Sequence, residues 1–504
     1  MFLPAPLFGD HCVLPMCKEL RIFGDAEDGA LIRVSLRDAD GDVLTCGETI
    51  AQNGRFLCLL PAVGEACVDC TLTITCESET VEAQDVSVGL VFLAGGQSNM
   101  ELALWNADEG QDLIREHEDA ELRYFNVPKK SVWNDDAVKA EREAHWEPIR
   151  PGVGGDMSAV AYFFAAKLRR NLHVPVGVID CYWGGTSVTA WMDEECLLRT
   201  AEGTRYLNEY RAQVGDKTLE QWMTEEASFQ HGMDVWNGKV TELRAADPAI
   251  EWEEIERQAG KCPWCPPVGW GSPYRPGGLA ETMLKRIVPA AVSAMLYYQG
   301  EEDTYRTTCY DQLLCSMVVR WRELLMDEQL PFINMQLPMF IEKGQAENYQ
   351  WPVLREAQQK ADNLLANSCL TCIIDCGEFN NIHPTDKRTP GERMADEYLA
   401  MMCDDEAEAR LCPRAVSKAV LPGSVVIRVD KPVHTVKGPA DLFEIAGSDG
   451  VFAPARAVIL DGTTIELTCE SIARPVMARY AWVSYAKVHV FGENGAPLRP
   501  FLMK

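Results

Sequence analysis

Positive charge is scarce in this sequence. Its 47 Lys and Arg stand against 76 Asp and Glu, giving a formal charge of −29 and a pI near 4.7. That balance argues against nucleic acid or an anionic membrane as partner. Long apolar runs are missing as well: no stretch approaches the roughly 18 to 20 residues that span a bilayer. The opening residues, Met1 to Asp10, have neither a basic n-region nor an unbroken apolar h-region, so they do not read as a secretion signal. The expectation is a cytoplasmic protein. Internal repeats and low-complexity tracts are absent, and histidine is rare, with eight in the chain.

Cysteine is plentiful, at 19, but scattered from Cys12 to Cys469 without the density of a disulfide framework. Free thiols in a reducing compartment are the expectation. The pairs Cys67/Cys70 and Cys262/Cys265 have Cys-x-x-Cys spacing, yet neither has a second pair at zinc-finger distance. Both read as incidental loop cysteines, so neither a metal nor a cofactor is called for.

At 504 residues the chain suits several domains. Residues 1–88 alternate as short strands, for example Leu31 to Leu36 and Cys70 to Thr75, with a turn at Asp38 to Asp42. This predicts a small β-sandwich-like domain. From Gly89 the texture changes to buried apolar runs alternating with helical stretches, which predicts an α/β domain with a parallel sheet over 89–411. Val91 to Ala94, Val174 to Asp180, Ala294 to Tyr298, Phe332 to Gln336 and Cys369 to Asp375 are its candidate strands, and Ala159 to Leu172 a helix. A polar, Glu-rich stretch at about 200–275 reads as an insertion. Strand patterns return in 412–504, at Ser424 to Val429, Thr464 to Thr468 and Lys487 to Phe491, which predicts a second β domain.

Four of the predicted strand ends carry polar groups suited to acyl chemistry. A hydroxyl nucleophile needs exposure on a tight turn, a base within reach and donors aimed at the developing oxyanion. Ser98 follows an apolar strand and two glycines in Gly95-Gly-Gln-Ser-Asn-Met100. Gly184-Gly185, in Trp183 to Trp191, brings backbone N–H groups close to a ligand. Gln299, Gly300 and Glu301 end a third strand, where Gln299 can donate to an oxyanion and Glu301 can orient its neighbours. Among the histidines, His383 has the matching context, after an apolar strand and before a helical stretch.

With these blocks in this order, the chain resembles the sialate O-acetylesterases of the SGNH (GDSL) hydrolase superfamily. Gly96 to Met100, Trp183 to Trp191, Tyr298 to Glu301 and Ile382-His-Pro384 are similar to that family's four site blocks. Phe8 to Leu14, Phe443 to Gly450 and Val476 to Trp482 are similar to its terminal β strands. The resemblance implies an SGNH three-layer domain flanked by β domains, and a serine esterase that deacetylates sialic acids. It implies Ser98 as nucleophile, His383 as base, and the N–H groups of Ser98 and Gly185 with the Gln299 side chain as oxyanion donors.

One position departs from the family pattern. Where SGNH enzymes often carry an Asp three residues before the histidine, this chain has Asn380. Either Ser98 and His383 act as a dyad with Asn380 or a carbonyl orienting the imidazole, or an acid such as Asp375, Glu378 or Glu301 reaches in. The implied substrate is an anion facing an acidic protein, so a local cation is required. Arg275 and Arg306, flanking the third block, are the candidates. An acetylxylan or other sugar acetylesterase is the nearest competing reading, and a catalytically inactive carbohydrate-binding protein the next.

Overall fold

The computed structural model describes residues 2–247, 250–402 and 404–504. Eighteen cysteines among them are free, and no helix among them is long and apolar enough to cross a membrane.

The N-terminal strands form two facing layers. Leu3–Pro4, Leu20–Asp25 and Arg55–Leu60 make one sheet, while Val43–Ile50, Leu31–Arg37, Cys67–Cys76 and Glu79–Gly96 pair in the other. Period-two alternation sets which side chains go inward: Ile32, Val34 and Leu36 are buried against Leu72 and Ile74 from the neighbouring strand.

Glu79–Gly96 is a single 18-residue strand. Its first part pairs antiparallel with Cys67–Cys76. Its second part runs parallel between Val176–Tyr182 and Ala294–Tyr298. The boundary drawn at 88 therefore falls inside a continuous strand. The change of texture at Gly89 marks where the strand becomes covered on both faces, since every residue from Val86 to Gly96 is buried; the backbone itself does not break there.

Around this strand the central sheet runs Trp146–Ile149, Asp119–Asn126, Val176–Tyr182, Glu79–Gly96, Ala294–Tyr298, Phe332–Met335, Ser368–Thr371. All neighbours are parallel except the first pair. Phe92 packs edge-on against Phe164 and Tyr398, from the helices Ala159–Leu172 and Arg388–Met401. Gly95, three residues on and so on the other face, abuts Trp321 of the helix Tyr310–Leu324. Helices thus cover the sheet on two sides. The chain leaves the Glu79–Gly96 strand for Asp119–Asn126, returns to its side, and then crosses to Ala294–Tyr298. Strand order reverses at its carboxyl end, the place where open α/β sheets gather ligand-binding loops.

Residues 201–259 form three helices, Ala201–Val214, Leu219–Ala246 and Trp252–Ala259, the last two closing over a small core of Trp236, Val240 and Ile255. The C-terminal strands make two four-stranded sheets and a two-stranded one around Val425, Ile427, Ile445 and Leu467. Of the apolar stretch Lys487 to Phe491, only the end is strand, as Val490–Gly492. Buried Arg355 fastens this part to the α/β sheet by donating to the carbonyls of Ala481 and Val483.

Candidate active site

Ser98 opens the four-residue helix Ser98–Glu101 immediately beyond the longest strand. The turn that presents it depends on Gly96, whose φ is +139° and whose missing Cβ would lie 2.1 Å from the Tyr298 carbonyl oxygen. A side chain there would push the two central strands apart. The Nε2 of His383 lies 2.8 Å from the Ser98 Oγ. Burial, then the charge of Lys387, holds the imidazole below its ordinary pKa, with Glu101 opposing. A neutral ring with Nε2 as acceptor is what a base for Ser98 requires.

Among the described residues no group is hydrogen-bonded to the His383 Nδ1. Asn380 does not orient the ring: its side-chain oxygen accepts from the Lys343 N–H at 2.9 Å, and its own N–H donates to Ile341. The residue sits at φ +59°, and its side chain and N–H together tie the histidine loop to the 341–343 segment. Asp375 is held bidentately by Arg393, and Glu378 accepts from Asn381. Neither reaches the histidine.

Glu301 acts on the histidine loop at one remove. Its carboxylate accepts from Asn99 Nδ2 at 2.6 Å, and the same amide donates to the Ile382 carbonyl. The Asn99 oxygen accepts from Lys387 Nζ at 2.7 Å. Burial raises the Glu301 pKa and pushes Lys387 down to about 8. These two charges therefore depend on each other, joined through Asn99.

Gln299 is not at the pocket. It is fully buried, its amide nitrogen donating to Asp303, the Thr186 carbonyl and Gln97 and its oxygen accepting from Tyr310. The neighbouring strand end supplies the amide instead. Gln97 lines the pocket, and its oxygen accepts from Gln299, Gly300 and Glu302. Its nitrogen has no hydrogen-bond partner among the described residues. The N–H groups of Ser98 and Gly185 are likewise free of protein acceptors among the described residues, whereas that of Gly184 is taken by Glu101. Gly185 has φ +71°, and a Cβ there would press on Trp264 and Tyr274 at 3.3 Å.

The pocket above Ser98 and His383 has a volume of about 550 Å³. Six aromatic rings line it: Trp183, Trp264, Tyr274, Tyr305, Phe340 and Trp351. Trp264 comes from the 200–275 stretch, between the two cysteines that the sequence singled out. Glu101, Glu301, Glu302 and Glu342 bring four carboxyl groups, of which Glu302 is pushed up to about 7 by burial and by Asp303. The cation in the lining is Lys129, bonded to Glu101 and 4.9 Å over the Trp183 ring.

Neither predicted arginine lines this pocket. Arg275 is directed to Glu281. Arg306 pairs with Glu209 at 2.7 Å and stacks on Tyr206, in a separate hollow beside the first.

Residues 270–400 match the family model described as carbohydrate esterase, sialic acid-specific acetylesterase. The sialate O-acetylesterase of Mus musculus is 22% identical over 443 residues, which is 81% of this chain and 74% of that protein. The Homo sapiens protein of the same name is 20% identical over 523 residues, 95% and 88% of the two chains. The crystal structure of a carbohydrate acetylesterase from Xanthomonas citri is similar over 100% of both chains, with a TM-score of 0.73 and 26% identity.

Carbohydrate esterase is the class that fold and family model together support. Within it, the family this chain resembles is the sialate O-acetylesterases, as its motifs imply.

Proposed function

We propose that the protein is a serine esterase that hydrolyses O-acetyl groups on sugars through an acetyl-enzyme. The observation that carries this reading is the 2.8 Å contact between the His383 Nε2 and the Ser98 Oγ at the end of the longest strand. His383 accepts the hydroxyl proton as Oγ attacks the acetyl carbonyl. The N–H groups of Ser98 and Gly185, with the Gln97 amide in place of Gln299, face the oxyanion of the tetrahedral intermediate. His383 then passes its proton to the departing sugar oxygen, leaving acetyl-Ser98. Water, deprotonated by the same ring, releases acetate.

In this reading Ser98 and His383 work as a dyad, with the Asn99 bridge holding the histidine loop in register. The architecture it implies is an SGNH three-layer domain between two β domains. The test is acetate release from p-nitrophenyl acetate, acetylated xylan and 9-O-acetylated sialic acid, wild type beside Ser98→Ala. Release by the wild type alone supports the reading. Equal release by both proteins, or none by either, discards it.

Sialic acid as the sugar is a second reading. The names of the relatives favour it, and Lys129 lines the pocket where a substrate carboxylate would need a cation. Lys129→Met should then raise KM for 9-O-acetylated sialic acid and leave KM for p-nitrophenyl acetate alone. An unchanged KM for the sialic acid rejects it.

A further inference from the structure

Beside the reaction pocket lies a second hollow of about 260 Å³ that shares Tyr274, Glu302 and Tyr305 with it. Tyr206, Gln213 and Arg306 belong to the hollow alone. Tyr305 stands between the two spaces and is 74% exposed, a large ring left uncovered at a rim where a ligand face would cover it. It sits in the 3-10 turn Glu302–Arg306, directly after Gln299-Gly300-Glu301, which follows the strand Ala294–Tyr298. Its position is therefore tied to that of the site.

The charges of the two spaces point the same way. Each cation lining them already has a carboxylate: Lys129 has Glu101 and Arg306 has Glu209. Glu301 is balanced by Lys387 through Asn99, whereas Glu302 and Glu342 in the pocket, and Asp303 in the hollow, add carboxyl groups with no ion-pair partner among the described residues. A substrate carboxylate would find no unpaired cation there among the described residues, inside a protein of net charge −29. Neutral sugars suit this lining: carboxyl oxygens accept their hydroxyl protons, and aromatic faces cover their C–H faces.

The geometry points to a neutral, O-acetylated oligosaccharide as substrate, its acetylated residue over Ser98, a neighbouring residue in the hollow, and Tyr305 stacked between them. This inference rests on the esterase reading and adds the size and charge of the substrate to it.

The experiment compares kcat/KM for acetate release from partially O-acetylated xylo-, cello- and manno-tetraosides, the matching acetylated methyl glycosides, and 9-O-acetylated sialic acid. p-Nitrophenyl acetate is the reference. In at least one series the tetraoside should exceed its glycoside by about tenfold, the order expected of one added aromatic contact. Tyr305→Ala, and separately Gln213→Trp to fill the hollow, should each remove most of that ratio. Both positions are solvent-facing, so folding is not at stake. Glycosides used as well as tetraosides in every series, a ratio untouched by both variants, or a preference for the sialic acid would each overturn the inference. If p-nitrophenyl acetate is cleaved by the wild type and not by Ser98→Ala, the failure is confined to this inference. If nothing is cleaved, the esterase reading falls and this inference with it.

Discussion

Asn99, the residue after Ser98, donates its side-chain amide to the backbone carbonyl of Ile382, the residue before His383, at 2.9 Å. One buried amide thus ties together two loops that are far apart in sequence, and it does so next to both side chains of the proposed dyad. With no partner on the His383 Nδ1 among the described residues, this tie, together with the bond from the His383 N–H to Asn381, holds the histidine beside the serine.

Asn99→Ala should therefore lower kcat on p-nitrophenyl acetate on the order of a hundredfold, because small misplacements of a base cost about that much. KM should change far less. Steady-state kinetics check this, and a loss confined to KM would contradict it.

The pH profile follows from the position of Lys387. Burial and the Lys387 charge both disfavour imidazolium, so His383 titrates below its ordinary value. The base must be neutral to act, so the acid limb of kcat/KM should lie below pH ~6.5, the ordinary histidine value. Lys387→Met removes a positive neighbour and makes the ring easier to protonate. The acid limb should then move to higher pH. A limb that stays put or moves lower would show that Lys387 does not face His383 electrostatically.

Asn380→Gly should leave kcat/KM within about threefold of wild type, since the side chain serves the Lys343 N–H and not the imidazole, and glycine keeps the left-handed backbone at no steric cost. A loss as deep as that of His383→Ala, expected to be on the order of 10⁴-fold, would restore Asn380 as the third member of the site.

Gln97 and Gln299 should differ in kinetics more than in stability: both support buried partners, Gln97 accepting from the Gly300 and Glu302 N–H groups, but of the two only Gln97 lines the pocket. Gln97→Leu should reduce kcat by about a hundredfold, the scale of one oxyanion donor. Gln299→Leu orphans buried partners around Asp303 and Tyr310 and should cost about 1–3 kcal/mol of stability for each. Denaturant melts and kinetics on the two variants check this together.

The sequence displayed the strand ends well and the directions of their side chains poorly. Ser98 and His383 were legible because each follows an apolar run and precedes a helical one. Gln299 looked like the oxyanion amide for the same reason, yet in the fold it turns inward and supports Gln97, a distinction made by two strands pairing across more than 200 positions. Lys129 carries no sequence signal, since it lies just past the end of Asp119–Asn126, a strand with no motif to mark it. In Lys261-Cys-Pro-Trp-Cys-Pro266 the cysteine spacing drew attention, while Trp264 between them is the residue that covers Gly185. The arginines nearest the third block looked like anion binders. Arg275 turns to Glu281, six residues on, while Glu209, the partner of Arg306, lies 97 positions away, out of reach of any local pattern.

The strand Glu79–Gly96 has a consequence for how this protein can be taken apart. A cut at Val88 would discard half of the strand that ends beside Ser98 and strip its pairing with Cys67–Cys76. The remnant would keep its parallel neighbours Val176–Tyr182 and Ala294–Tyr298 but enter the central sheet as a free end, without the antiparallel pairing that anchors its start. The first 88 residues are therefore no detachable accessory. They and the nucleophile should melt in one cooperative transition, and a gene fragment that omits the former should yield aggregate in place of a smaller enzyme.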